Sequence, residues 1–483
     1  MLWGIDKTYD LGSKVYVIDA RDACIADLEA RLAEQGRIID SLRARIVELE
    51  SKLGQNSSNS SRPPSLDTPE QRAKRYPKRI RSGKKRGAQR GHVGHRRELI
   101  PEDKVSSVVD YFPERCKCGK RLPRTIDPSP IRHQVVELPE IRPQVDESRL
   151  HRVQCTCGRV TCAQLPEGVP TGMVGPRLNA LIGLLTGNCR MSRRDAVSLL
   201  DDVLGVRISL GALSQAEGKL SEVLSEPVDD AHQYTIAQPV KNLDATSWKQ
   251  NGVGKSLWTI ATTLVTVFVV THDATENTVK QMLGKLYGIL ITDRGRQFGF
   301  WAMKKRQICW AHLIRKFASF SENSNKAVST LGDELLLFTQ VLLYEWHEFR
   351  AGNISRARLQ RETAMVRVCI ENLLVKGRDM ELRGFSGSCR DILVHRDALW
   401  TFLDKDGVEP TNNHAERELR DFVLWRKNSF GSQSERGTRY AERIMTVAHT
   451  LRKQNRNIFS YLTAACQAAL TGTPIPSLLP NPP

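Results

Sequence analysis

The chain has 483 residues, with 72 Lys and Arg against 54 Asp and Glu, a formal net charge of +18, and 40% hydrophobic residues. That length allows about three domains, and no apolar run reaches the ~20 residues that a membrane-spanning helix needs; the longest, Leu257 to Val270, is interrupted by Thr. The N-terminal MLWGIDKTYD lacks a basic stretch leading into an apolar core, which points away from secretion and toward the cytoplasm, where the eleven cysteines are expected as thiols or metal ligands.

From the N-terminus, Ile25, Leu32, Ile39, Ile46 and Leu53 recur every seven residues, and Leu28, Gln35, Leu42 and Leu49 form the alternate seam. This is a heptad pattern over residues 21–53, and a two-position seam fits a leucine-zipper coiled coil that forms a homodimer or a larger assembly. GQNSSNSSRPPSLDTPE follows, too polar and Pro-rich to bury a core, so 54–99 reads as a flexible Ser/Asn linker and basic arm. Between Gln71 and Arg97 the arm holds twelve Lys or Arg and no acid, among them Lys84, Lys85, Arg86 and Arg90. A charge run of that kind favours a polyanion, here double-stranded DNA.

Over 100–170 two cysteine clusters occur, Cys116 and Cys118 in ERCKCGK, and Cys155, Cys157 and Cys162 in VQCTCGRVTC. The segment between them alternates as a strand does. Paired thiols next to glycine suggest a zinc-ribbon-like module, with Cys116, Cys118, Cys155 and Cys157 as Zn2+ ligands or Cys162 replacing one of them. The spacing is C-x-C where C-x-x-C is usual. Region 171–237 reads as a small helical domain: a helix capped by Ser192 and ending before Gly205, then a second from near Leu210, which allows a helix-turn-helix.

At Gln238 the pattern becomes strand-rich, in VKNLDATSWKQ, KSLWTIATTLVTVFVVT and LYGILITDRGRQF, with NTVKQMLGKL as a helix and QICWAHLIRKFASF as a strand entering a helix. The expectation is a multidomain α/β protein. Its mixed-sheet core has a first part, 238–324, a helical insertion, 325–403, and a second part, 404–470, before a Pro-rich tail, 471–483. Asp244 and Asp293 each close a strand pattern, and strand ends in α/β sheets are where ligands are met. In TNNHAERELR, Asn413, Glu416 and Arg420 share one helix face. Three acids on two strands and a helix can hold two divalent cations about 3.5–4 Å apart, one activating water or a 3′-hydroxyl, the other stabilising the leaving oxygen of a phosphodiester. Mg2+ or Mn2+ suits such oxygen ligands. Arg315, Lys316, Arg420, Arg426 and Lys427 are the neighbouring cations expected to hold DNA phosphates, with His312 and Asn413 supporting the acids from behind.

LGQNSSNSSRPPS after a zipper, GAQRGHVGH, the paired cysteines, DATSW, LITDRGRQF, CWAHLIRKF and NNHAERELR…RKNSFGS together resemble the insertion-sequence-sixty-six family of bacterial transposases. The resemblance implies a ribonuclease-H-like core, an Asp-Asp-Glu triad formed by Asp244, Asp293 and Glu416, and metal-dependent cleavage and strand transfer at the ends of a mobile element. The sequence leaves open whether helper proteins of the same element take part. The rival expectation is a transposase-derived DNA-binding protein that no longer cleaves.

Overall fold

The computed structural model describes residues 11–53, 55–60, 67–71 and 98–480; the basic-arm residues Lys84, Lys85, Arg86 and Arg90 lie outside them. Helix α1, Leu11–Leu53, begins ten residues before the heptad region and, at 43 residues, is about 65 Å long. Its seam residues Ile25, Leu28, Leu32, Ile39, Ile46 and Leu53 are all exposed in the single chain. Within the linker, residues 55–60 and Asp67 are ordered by hydrogen bonds, with Ser57, Asn59 and Asp67 buried, so for them the expectation of a flexible tether is corrected.

Residues 100–165 are exposed almost throughout. The anticipated strand between the cysteine clusters does not form, because an alternating segment needs both a pairing partner and a face to bury. In this region β1, Arg152–Gln154, pairs with β2, Val160–Cys162, and Arg115 forms an isolated bridge with Arg121. Each cysteine cluster is a tight turn of the same design. The Gly119 and Gly158 N–H groups donate to the Cys116 and Cys155 carbonyls, both at 2.8 Å. Both glycines sit at φ near +90°, values of 90° and 87°, that only glycine adopts cheaply.

The helical domain follows the sequence closely. Helix α2, Pro176–Gly183, leads into a widened turn, then α3, Arg193–Leu204, α4, Leu210–Val223, and α5, Ser225–Ile236. Ser192 caps α3 by accepting the Asp195 N–H, and Gly205 ends it. Helix α4 packs against α2 and buries Leu213, Ala216, Glu217, Gly218 and Leu220. Its exposed residues Gln215, Lys219 and Glu222 carry one base and one acid, not the basic face that a phosphate-hugging recognition helix presents.

The core sheet has five strands: β3, Val240–Gln250; β4, Val253–Ala261; β5, Thr266–Thr271; β6, Ile289–Thr292; and β7, Arg306–Ile308, in the spatial order β5-β4-β3-β6-β7. The first three form an antiparallel meander, and β6 and β7 run parallel to β3. The long run Leu257–Val270 is two strands. Thr262 turns the chain by accepting the Val265 N–H at 3.1 Å and donating to its carbonyl at 3.0 Å, without the Gly or Pro that marks most turns. Helix α6, Glu276–Leu283, crosses between β5 and β6, and α7, Trp310–Ser321, follows β7. The insertion is α8, Lys326–Arg350, α9, Arg356–Asp379, and α10, Phe385–Val394, with two single-turn helices. It shares one apolar cluster with α7 and β7, joining Trp310, Phe317, Leu335, Trp346, Ile370 and Phe402. The chain then returns as α11, Asn413–Ser429, α12, Glu435–Lys453, and α13, Ile458–Thr471. Among the described residues no helix is long and apolar enough to cross a membrane.

The edge strand β5 is closed by α12. The N–H groups of Thr266 and Phe268 donate to the Thr450 and Thr446 hydroxyls, both at 3.1 Å, and that of Val270 donates to the Glu442 carboxylate. The match is geometric: four helical residues advance about 6 Å and two strand residues about 6.6 Å, so acceptors four apart meet donors two apart. An unsatisfied buried N–H costs about 1–3 kcal/mol. Thr446→Val, nearly isosteric, is therefore expected to lower stability by about that amount and to speed hydrogen exchange at the Phe268 amide, measured by denaturant titration and exchange mass spectrometry. Unchanged stability and protection would contradict the edge-closing role.

Candidate active site

Asp244 does not end its strand, as the sequence suggested; β3 runs six residues further. What ends there is its neighbour. The β3–β6 ladder pairs Val240 with Ile289, Lys241 with Leu290 and Asn242 with Ile291. Two further steps in that register set Asp244 beside Asp293, one residue past β6, on the flank where β3 has lost its parallel partner. The Asp293 carboxylate is aimed by the Gly295 N–H, which donates at 2.9 Å. Behind it, the buried Arg306 guanidinium donates to the Asp293 carbonyl at 3.1 Å and the Thr292 hydroxyl at 3.2 Å.

Glu416 arrives from the far side of the insertion. The residue that delivers it is Asn412, which is fully buried. Its Nδ2 donates to the Leu243 carbonyl at 2.9 Å, its Oδ1 accepts from Asn242 Nδ2 at 3.0 Å, and its N–H donates to the Cys309 sulfur at 3.1 Å. The Trp310 N–H meets the Pro410 carbonyl at 2.9 Å just before it. Asn412 thus seats the first turn of α11 on β3 and α7 together, and Glu416, one turn on, faces the same flank as the two aspartates. Asn413, expected to support the acids, is instead exposed and makes no hydrogen bond to them.

The electrostatics follow from this crowding. Burial pushes the Asp244 carboxyl up to about 7, and the Glu416 and Asp293 charges push in the same direction, against the Ala245 N–H and Arg315. Glu416 Oε1 lies 3.7 Å from His312 Nδ1 and 3.8 Å from Arg315 Nη2, and both Glu416 Oε1 and His312 Nδ1 are buried without a hydrogen-bond partner. A buried, unsatisfied carboxylate oxygen next to two further carboxylates is a charge imbalance that a divalent cation corrects, so the donor set fits one. Among the described residues, the set of three ligating atoms lying within 4.8 Å of one another is Cys309, His312 and Glu416, not the three acids. Burial raises the Cys309 thiol to about 11, which suits a protonated packing group.

The other anticipated residues divide. Asp293, His312, Arg315 and Lys316 line one cleft of about 750 Å³. Arg426 is spent on structure, donating to the Ser247 carbonyl and hydroxyl and to Thr246 Oγ1. Arg420 and Lys427 are exposed on α11. The four thiols expected to share one zinc stay as two separate pairs and do not gather within ligating distance of one another; a single shared ion would require the two turns to swing together. Within each pair the Cys118 and Cys157 groups hydrogen-bond their partners and hold Cys116 and Cys155 below the usual thiol range.

Asn412 and Arg306, whose hydrogen bonds position the segments bearing Glu416 and Asp293, were not singled out in the sequence. The Asn doublet was visible but assigned its role one residue late, and nothing local marks Arg306.

A sequence profile described as "Transposase IS66 family" matches residues 172–440, more than half of the chain. A second, described as a family of unknown function, matches residues 19–98. An uncharacterized protein of Sinorhizobium fredii, y4qI, is 28% identical over 181 residues, which are 36% of this chain and 33% of that protein. The similarity thus spans about a third of that relative's length.

A carboxyl whose pKa is 3.8 in the unfolded chain and about 7 in the folded one costs the metal-free protein stability as pH rises between those values. Asp244→Asn is therefore expected to melt a few degrees above wild type at pH 8 without metal. Adding Mg2+ or Mn2+ is expected to raise the wild-type melting temperature and leave the variant unmoved. A wild type indifferent to divalent cations would exclude this flank as their site.

Proposed function

The chain belongs to the IS66 transposase family, and from that premise we propose that it is a DNA transposase that binds the ends of a mobile insertion element and performs metal-dependent strand cleavage and transfer, with Asp244, Asp293 and Glu416 as its catalytic triad. What supports the reading is the proximity of these acids: Asp244 on β3, Asp293 just past the end of its parallel neighbour β6, and Glu416 on the helix that Asn412 seats. The sheet order, 3-2-1-4-5 when counted from β3, with an antiparallel meander followed by two parallel strands, supports a ribonuclease-H-like core.

Divalent cations bound by the triad, Mg2+ or Mn2+, would sharpen the attacking oxygen and stabilise the leaving one. The protein's own part is positioning. Asp293 is held by Gly295 and Arg306, and Glu416 by Asn412, so the carboxylates are preorganised and cost little reorganisation when substrate arrives. Arg315 and Lys316, on the helix that also carries His312, provide cations for the phosphates of the bound strand. The net charge of +18 and the basic arm supply sequence-independent affinity for DNA. The exposed seam of α1 suits pairing with a second copy, which would bring two catalytic centres to two element ends. The setting is the bacterial cytoplasm, at the nucleoid, and helper proteins of the same element are further partners.

The test is nicking of a labelled duplex that carries the element's terminal repeat. Wild type is expected to cut in Mg2+ or Mn2+, and Asp293→Asn to bind the same duplex with cleavage lowered at least about a hundredfold, ~2.7 kcal/mol of barrier. Binding by both without cleavage by either would favour a DNA-binding protein that has lost the chemistry.

A further inference from the structure

Between α1 and the basic arm the chain makes a compact turn over residues 55–60. Its composition cannot build a core, yet Ser57 and Asn59 are buried, and so is Asp67. Buried polar groups are tolerated when hydrogen-bonded, and these are. The Ser57 N–H donates to Asp67 Oδ1 at 2.8 Å and its hydroxyl to the other carboxylate oxygen. The Asn56 N–H donates to Asn59 Oδ1 at 2.7 Å, and the Ser58 N–H to Asn56 Oδ1 at 2.8 Å.

The turn is joined to the core where Asn59 Nδ2 donates to Glu322 Oε2 at 2.5 Å. Glu322 caps the end of α7, the helix that carries His312, Arg315 and Lys316. As a result Gln55, Asn59 and Ser60 line the same cleft as Asp293, His312, Arg315 and Lys316.

We propose that the 55–60 turn is a working part of the DNA-cleaving site, a polar wall that grips the strand carrying the scissile phosphate. The inference rests on the transposase reading above. Cations along α7 suit phosphates, which fix position. Amides and hydroxyls both donate and accept, and so suit sugars and base edges, where sequence is read. The turn offers the second kind of group and α7 the first, on one cleft. A mere tether from helix to arm would have no reason to be buried. A blocking strap would fill the cleft, which instead keeps about 750 Å³ open with the turn in place. Helix α1 ends at Leu53, two residues before the turn begins, so pairing of two copies through α1 would bring two such clefts into one assembly.

Two measurements on the full-length protein test the wall. In the first, Asp244→Asn protein carrying a benzophenone side chain at Ser58, an exposed position of the turn, is irradiated on a labelled element-end duplex. Crosslinks are expected on the strand to be cut, within a few nucleotides of the scissile phosphate. In the second, Asn59→Ala, Glu322→Ala and, away from that anchor, Gln55→Ala are expected to slow end cleavage about tenfold, with end affinity changed less than about twofold. No crosslink in a protein that still binds the ends would overturn the proposal, as would faster cleavage by Glu322→Ala, the signature of a strap released. If wild type does not cleave at all while crosslinks from position 58 persist, the catalytic reading falls and the DNA-gripping wall stands.

Discussion

Three carboxylates on one sheet flank repel one another, and the fold keeps the third in place through one buried amide. Asn412 bonds to β3 through Leu243 and Asn242 and to the start of α7 through Cys309. It is where the two halves of the core meet, after an excursion of roughly 80 residues through the insertion. Excursions of that length are tolerable because the entropy of closing a loop grows only with the logarithm of its length. The insertion also returns apolar contacts to α7 and β7, so it stiffens the helix that flanks Glu416 instead of hanging from it.

The two faces of α11 show how partners decide the fate of a carboxylate. On the back, burial opposes the Glu418 charge most, yet hydrogen bonds from His414 and His449 and the nearby Lys453 hold Glu418 below the usual carboxylate range. Asp421 is likewise held down, by a hydrogen bond from His449 first and also by Arg190 and Arg452, which ties the helical domain to the core. On the front, Asp244 has comparable burial and acids for neighbours, and rises to about 7. The back of the helix is electrically complete. The front has acids without such partners, a deficit that a bound divalent cation would make up.

Much of this was legible in the chain. Three alternating β-branched runs covered β3, β4 with β5 as one undivided run, and β6, and Ser192 and Gly205 marked both ends of α3. The three acids were singled out because each was read beside the end of an element, which holds for Asp293 and Glu416 but not for Asp244, inside β3. What stayed hidden depended on contacts distant in sequence. The shared register of Asp244 and Asp293 exists only once β6 pairs with β3. Nothing local to Asn412 shows that its side chain bonds to the sheet. Arg426 reads as a phosphate ligand, but the end of β3 claims it. The Ser/Asn segment reads as a tether by composition, since nothing local shows that Asp67 and Glu322 wait for its side chains. Conversely, the alternating stretch between the cysteine turns promised a strand that has no sheet to join.

The central claim is that Asp244, Asp293 and Glu416 bind divalent cations in common. Its most direct measurement is anomalous scattering from crystals of the protein grown with Mn2+ and an element-end duplex. The account predicts manganese peaks bounded by these three carboxylates, lost when Asp293 is replaced by Asn. Peaks that leave any one of the three acids without contact, or manganese held elsewhere with this flank bare, would contradict it.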